Sequence, residues 1–147
     1  MSNNAIANER VIVFGASGFL GSHVADALSS AGYQVRLFDR SASPHLKPDQ
    51  EMIIGDIMNL DQVIEAARDC SVVYNFAAIA DIDEAHNKPI PTATINVLGN
   101  MHVLEAARIA GARRFVFASS VYVYSESGSF YRASKQAAER FTETYHE

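Results

Sequence analysis

A chain of 147 residues and 16.0 kDa, 48% hydrophobic and 20% charged, can bury the core of one domain and is too apolar to be disordered. Its formal net charge of −5 offers no basic footprint for nucleic acid. No apolar run approaches the roughly 20 residues that span a bilayer, and the opening MSNNAIANER lacks the charged and apolar regions of a secretory signal. The single cysteine, Cys70, permits no internal disulfide and fits a reducing compartment, so a cytoplasmic domain that binds neither membrane nor nucleic acid is expected.

Residues 1–9 read as a polar, flexible leader, with one domain over 10–147. Val11 to Phe14 is a short apolar run ended by Gly15, the mark of a parallel strand covered on both faces. Leu20, Val24, Ala27, Leu28 and Ala31 recur at helical spacing from Gly18 to Ala31, and Gly32 is a natural stop. A second strand over Tyr33 to Phe38 reaches Asp39, and the loop RSASPHLKPDQ leads to a third over Glu51 to Ile54. Asn59 is placed to cap a helix over Asp61 to Arg68. Ser71 to Phe76 is a fourth strand, Pro91 to Ala110 a long helix closed by Gly111, and Arg114 to Ala118 a fifth strand. VYVY, 121–124, alternates like an irregular extended segment, and Ser129 is placed to cap a last helix from about Phe130 to the end. Strands alternating with helices predict a doubly wound α/β sheet in the order 3-2-1-4-5, with a ligand crevice at the strand C-termini between the first and fourth strands.

GASGFLG, Gly15 to Gly21, lies where the first strand turns into a helix. Gly15 allows the tight turn, Gly18 the approach of a pyrophosphate, and Gly21 close packing of helix on strand. Ser17, Phe19 and Leu20 come to the same turn, where free helix N–H groups and the positive dipole end favour phosphate. Asp39, 18 residues after Gly21 at the end of the second strand, can accept both ribose hydroxyls and would repel a 2′-phosphate. That favours NAD over NADP, although Arg40 beside it could pair with a 2′-phosphate. Asp56 in IIGDI is either a turn residue or a contact to adenine. Phe76, Ala77 and Ala78 end the fourth strand with mostly small side chains, as close approach of a cofactor requires.

Ser119 and Ser120 follow the fifth strand on the ligand side, and Tyr131 and Lys135 share a helix face at i and i+4. A phenol titrates near about 10, so its use as a base near neutrality requires a cation close by, and an ammonium on the next turn is one.

Together GASGFLG at 15–21, Asp39, GDI at 55–57, NFAA at 75–78, INVLGN at 95–100, FVFASSVYVY at 115–124 and YRASK at 131–135 resemble the extended short-chain dehydrogenase/reductase family, the NAD-dependent nucleotide-sugar epimerases and dehydratases. The resemblance implies that Ile57 joins Asp56 in the cofactor site and that Asn96 lines the active-site side of its helix. It implies Ser120 as the hydroxyl that holds substrate, Tyr131 as base, and Lys135 as partner of ribose and phenol. It also implies hydride exchange between a nucleotide sugar and nicotinamide. Three features depart from the family: Asn75 where His is frequent, Ser125 where Gly is usual, and a short stretch between Ser120 and Tyr131. Relatives continue through further strands and a substrate lobe, so a Rossmann part without that lobe is expected, and a dinucleotide-binding module without turnover is the competing reading.

Cys70 reads as a small core residue, and His23, His45, His102 and His146 have no partner at ligand spacing. Asp81, Asp83, Glu84 and His86 read as a solvated acidic loop, and no metal site is expected. The resemblance also implies a homodimer through the two long helices, whose outer faces are expected to carry Val97, Met101, Leu104, Ala137, Phe141 and Tyr145, with the fifth strand left as an edge.

Overall fold

The computed structural model describes residues 8–147. Its strands are β1 (Arg10–Phe14), β2 (Gln34–Asp39), β3 (Glu51–Ile54), β4 (Val72–Asn75) and β5 (Arg114–Phe117), all paired in parallel in the order β3-β2-β1-β4-β5. The expected order is the observed one, and each strand lies within two residues of its expected limits. Successive residues of β1 enter opposite cores. Val11 and Val13 meet Val35, Leu37 and Ala25 on one face, while Ile12 and Phe14 meet Val63, Ala66, Val103 and Ala106 on the other. A strand covered on both faces has no polar position to spare, which is why RVIVF reads as a continuous apolar run.

Helix α1 (Phe19–Ser30) covers the first face. On the other lie α2 (Leu60–Ala67), capped as expected by the Asn59 side chain on the Gln62 N–H, and the long helical stretch after β4. That stretch begins at Pro89 rather than Pro91 and is not one regular helix. It comprises α4 (Pro89–Ala93), a π-helical segment (Thr94–Gly99) and α5 (Asn100–Ile109). The acidic residues expected in a loop form α3 (Ile82–Asn87), capped by Asp81 on the Glu84 N–H. VYVY is not extended: Val121–Tyr124 is a 3₁₀ turn capped by the Ser120 hydroxyl on the Tyr122 N–H at 3.2 Å.

The last helix, α6 (Ser129–His146), starts differently from the expectation. Gly128, at φ +107°, takes the N-cap position, and a Cβ there would come within 2.8 Å of the Tyr122 ring. The Ser129 hydroxyl caps nothing and instead meets His86 Nδ1 at 2.9 Å, joining α3 to α6. Leu104, expected on an outer face, is 3% exposed, and the Tyr145 hydroxyl donates to Glu105. Leu98, Ile109 and Phe141 remain exposed. Cys70 is buried, where burial pushes its thiol up to about 11. No helix among the described residues is long and apolar enough to cross a membrane.

The expected leader lies outside the described residues over 1–7, and at its end the expectation fails. Glu9 is tied down: its carboxylate accepts from the Ser71 hydroxyl at 2.7 Å and from Arg113, and its carbonyl accepts from the Gln34 N–H at 3.0 Å. The Ser71 hydroxyl and the Arg113 guanidinium hold its carboxyl below the ordinary 4.5. Its share of stability is therefore present at neutral pH and lost as pH falls below 4.5 through the lowered value. Glu9→Gln should cost about 1 kcal/mol at pH 7, or roughly 2–4 °C in Tm. The gap from the wild type should close on acidification, as thermal scans across pH 7 to 3 would show.

Candidate functional site

At the head of β1, Gly15 turns the chain with φ +74° while its N–H donates to the Phe38 carbonyl at 2.9 Å. A Cβ at Gly15 would stand 2.5 Å from the Ala77 nitrogen, and one at Gly21 would stand 2.2 Å from the Gly15 oxygen. Backbone therefore packs on backbone where β1, β4 and α1 meet. Gly18 is different, since a Cβ there would meet only the Gly15 oxygen at 3.4 Å. It borders the cleft, and no side chain caps α1, so the first N–H groups of the helix have no partner of their own. The Phe19 and Leu20 side chains point to solvent, which leaves their backbone as what this turn can offer a ligand.

The cleft holds about 250 Å³ and runs from Gly15 and Gly18 past Asp39 and Arg40 to Gly55, Asp56 and Ile57, with Phe76, Ala77 and Ala78 along the far wall. Ligand pockets start at roughly 300 Å³, so this volume suits part of a dinucleotide. The Asp39 carboxylate accepts from the Ser17 N–H at 3.0 Å and from the Arg40 N–H at 2.7 Å. The Ser17 hydroxyl donates to the Ser41 carbonyl at 2.7 Å, which ties the turn to the chain just past β2. Asp56 does the work of a turn residue, accepting from the Met58 N–H at 2.9 Å, and borders the cleft as well. Its two readings are compatible. His102, which sequence spacing left without a role, meets the Ile57 carbonyl at 2.9 Å and so supports the cleft floor from α5.

Ser120, Tyr131, Lys135 and Asn96 are not part of that cleft wall. Ser120, Tyr131 and Lys135 lie beyond it, at the exit of β5 and the first turns of α6, and Asn96 reaches α6 from the π-helical segment. Lys135 is 4% exposed, and its Nζ donates to the Ala118 carbonyl at 2.8 Å. Nζ lies 4.8 Å from the centre of the Phe117 ring and 5.8 Å from that of Tyr131. Burial pushes its ammonium down to about 8, and no acid among the described residues forms an ion pair with it. Tyr122 sets its ring edge-on to Tyr131 at 6.2 Å, and the carbonyls of Val123 and Ser125 are held by Gln136 and Arg132 of α6. The 3₁₀ turn is thus strapped to the helix that carries Tyr131.

Asn96 sits in the π segment with its amide fully used. It accepts from the Ile79 N–H at 2.7 Å, donates to the Ile79 carbonyl at 3.0 Å, and donates to the Ser134 hydroxyl at 3.0 Å. Ser134 in turn donates to the Tyr131 carbonyl at 2.7 Å. Rather than offering its amide to a ligand, Asn96 clamps the chain after β4 to the helix bearing Tyr131 and Lys135. The widened π turn accompanies this reach, a frequent association at functional sites. Asn75 and Asn100 form a second tie, with Asn75 Nδ2 donating to Asn100 at 2.8 Å and Asn100 reaching Thr142 at 3.5 Å.

The family model described as NAD dependent epimerase/dehydratase family matches residues 11–147. A UDP-glucose 4-epimerase of Rhizobium leguminosarum bv. trifolii is 32% identical over 124 residues, which cover 81% of this chain and 38% of that protein. A 3-beta-hydroxysteroid dehydrogenase of Mycolicibacterium neoaurum is 33% identical over 119 residues, covering 76% of this chain and 32% of that protein. The crystal structure of UDP-glucose 4-epimerase from Brucella ovis in complex with NAD superposes with a TM-score of 0.86 at 26% identity, over 93% of this chain and 47% of that one. The chain thus spans less than half the length of each of these three.

An unpaired ammonium in a core costs stability, and the site offers a direct measure of that cost. Its lowered titration means the penalty is in full force below about 8 and is relieved as pH rises toward 10.5. Lys135→Met should therefore stabilise the ligand-free chain by about 1–3 kcal/mol at pH 7. The gain should shrink between pH 8 and 10.5 in denaturant titrations of the two proteins.

Proposed function

Because the chain belongs to the NAD-dependent epimerase/dehydratase family, we propose that it is the dinucleotide-binding part of an oxidoreductase-type epimerase or dehydratase that acts on a nucleotide sugar. The observation that carries this reading is the buried ammonium of Lys135 beside Tyr131 at the C-terminal end of the sheet. It is costly to the fold and is suited to holding a phenolate.

The residues present fit NAD. The N–H groups of the 15–21 turn suit a pyrophosphate, and the contacts at Gly15 and Gly21 leave room for no side chain there. Asp39 suits the ribose hydroxyls, and Arg40 would be the partner of a 2′-phosphate. Asp56 and Ile57 suit adenine, and Phe76, Ala77 and Ala78 form the opposite wall. When bound, NAD supplies a hydride acceptor. The chain's own residues manage the proton: Tyr131 as phenolate takes it from a sugar hydroxyl, and Lys135, mostly ammonium at neutral pH, stabilises the charge. Ser120 orients the sugar oxygen, while Asn96 keeps its clamp on Ile79 and Ser134. A nucleotide sugar as substrate follows the epimerase relative. The hydroxysteroid relative points to the shared chemistry, oxidation of a secondary alcohol. We also place this protein in the cytoplasm as a homodimer through the helical stretch after β4 and α6, where Leu98 of the π segment, Ile109 of α5 and Phe141 of α6 are exposed.

Thermal scans followed by a turnover assay test the reading. NAD at about 100 times its Kd should stabilise the chain by about 2.7 kcal/mol, NADP by less, and Asp39→Ala should narrow the difference. Tyr131→Phe should keep NAD binding and abolish conversion of UDP-glucose. Conversion retained in that variant would overturn the role of the phenol. NAD binding by the wild type without conversion of any nucleotide sugar would leave a binding module.

A further inference from the structure

Lys135 is not the only side chain of α6 that grips the exit of β5. One turn farther on, Glu139 Oε1 accepts a hydrogen bond from the Ser119 hydroxyl. Lys135 and Glu139 stand at i and i+4 on one helix face, and Ala118 and Ser119 are consecutive in the chain. Two neighbouring side chains of the helix thus hold two neighbouring residues of the strand exit, immediately before Ser120. The exit has little else to fix it. The ladder of β5 ends at Phe117, Ala118 N–H reaches back to the Asn75 carbonyl at 3.1 Å, and Ser119 is exposed.

We propose that Glu139 is a positioning residue: by holding Ser119 it locks the β5 exit against α6 and so fixes where Ser120 and the Lys135 ammonium stand. This rests on the reading of Ser120, Tyr131 and Lys135 as the chemical site. The tie is mechanical rather than electrostatic. Burial alone accounts for the lowered titration of Lys135, and Glu139 gives its carboxylate to a hydroxyl. On its own helix Tyr131 and Glu139 stand one turn before and after Lys135, and β5 and its exit present the Phe117 ring and the Ala118 carbonyl to the ammonium.

A charge effect and a positioning effect have opposite signs, which makes the proposal testable without turnover. If Glu139 acted through its charge, removing it would lower the Lys135 titration further, in Glu139→Gln as much as in Glu139→Ala. If it acts by holding the exit, Glu139→Ala frees the strand end and lets water reach the ammonium, so the titration rises. Glu139→Gln keeps an acceptor for Ser119 and changes little.

The chain has three lysines, Lys47, Lys88 and Lys135, so carbon-13 lysine labelling gives signals that Lys47→Arg and Lys88→Arg variants assign. We expect the Lys135 midpoint to move from about 8 toward 10.5 in Glu139→Ala. Ser119→Ala should reproduce that move, the double variant should add nothing, and Glu139→Gln should stay near the wild type. An unmoved or lowered midpoint in Glu139→Ala, or additive effects in the double variant, would overturn the proposal. The titration is read on the folded, ligand-free chain, so an absence of turnover would count against the proposed function and leave this result intact.

Discussion

Backbone packs directly on backbone at the head of β1, and the candidate site is laid out around that contact. Gly15 lies against Ala77, and Gly21 against Gly15, each at a spacing that no side chain could share. This brings β1, β4 and the start of α1 together at one end of the sheet. The consequence is a helix whose first N–H groups open on a cleft, with Asp39 held beside it by Ser17. A β-carbon at either glycine would have to push apart elements that are themselves fixed by the parallel ladder. Overpacking of that kind typically costs about 1–3 kcal/mol.

Past the cleft, the fold spends stability on order rather than on packing. Lys135 is buried without an acid, and Asn75, Asn96 and Asn100 are buried amides. Each amide has partners that join two elements: Asn96 ties Ile79 to α6, and Asn75 ties β4 to α5. A buried polar group is tolerable when its partners are in place and costly when one is missing. That makes the mutual position of β4, α5 and α6 sharply defined, as the proposed proton transfer requires. The 3₁₀ turn is held by the same logic, through the grip of Gln136 on the Val123 carbonyl and of Arg132 on that of Ser125 just past it.

What could be read from the sequence was whatever is written locally. The glycine heptad, the apolar strand runs and the Asp39 position depend on short-range geometry, and the sheet order follows from element alternation. Tyr131 and Lys135 could be placed on one helix face because four residues make about one turn. Features set by distant contacts were not legible. The π turn accompanies the reach of Asn96 to Ile79 and Ser134, residues 17 and 38 positions away. Ser129 looks like a cap by type, yet Gly128 supplies the left-handed turn and His86 takes the hydroxyl. VYVY alternates like a strand but curls into a 3₁₀ turn, with the Ser120 hydroxyl on the Tyr122 N–H and Gln136 of α6 on the Val123 carbonyl. Glu139 and His102 carry no motif, and only the fold shows what they hold. The polar end of the leader misled for the same reason, Glu9 being fixed by Ser71 and Arg113, far along the chain.

The proposed dinucleotide site runs along one end of this sheet, from the glycine turn toward Lys135. Amide and side-chain chemical-shift mapping of nitrogen-15-labelled protein, titrated with NAD, tests it most directly. NAD bound there should give saturable shifts at Gly15 to Gly21, Asp39, Ile57 and Ala77, continuing to Ala118, Ser120 and Lys135. Shifts confined to the opposite end of the sheet, around Arg113, Phe115 and Tyr145, would contradict it, as would saturation of the glycine turn with Lys135 and the β5 exit unmoved.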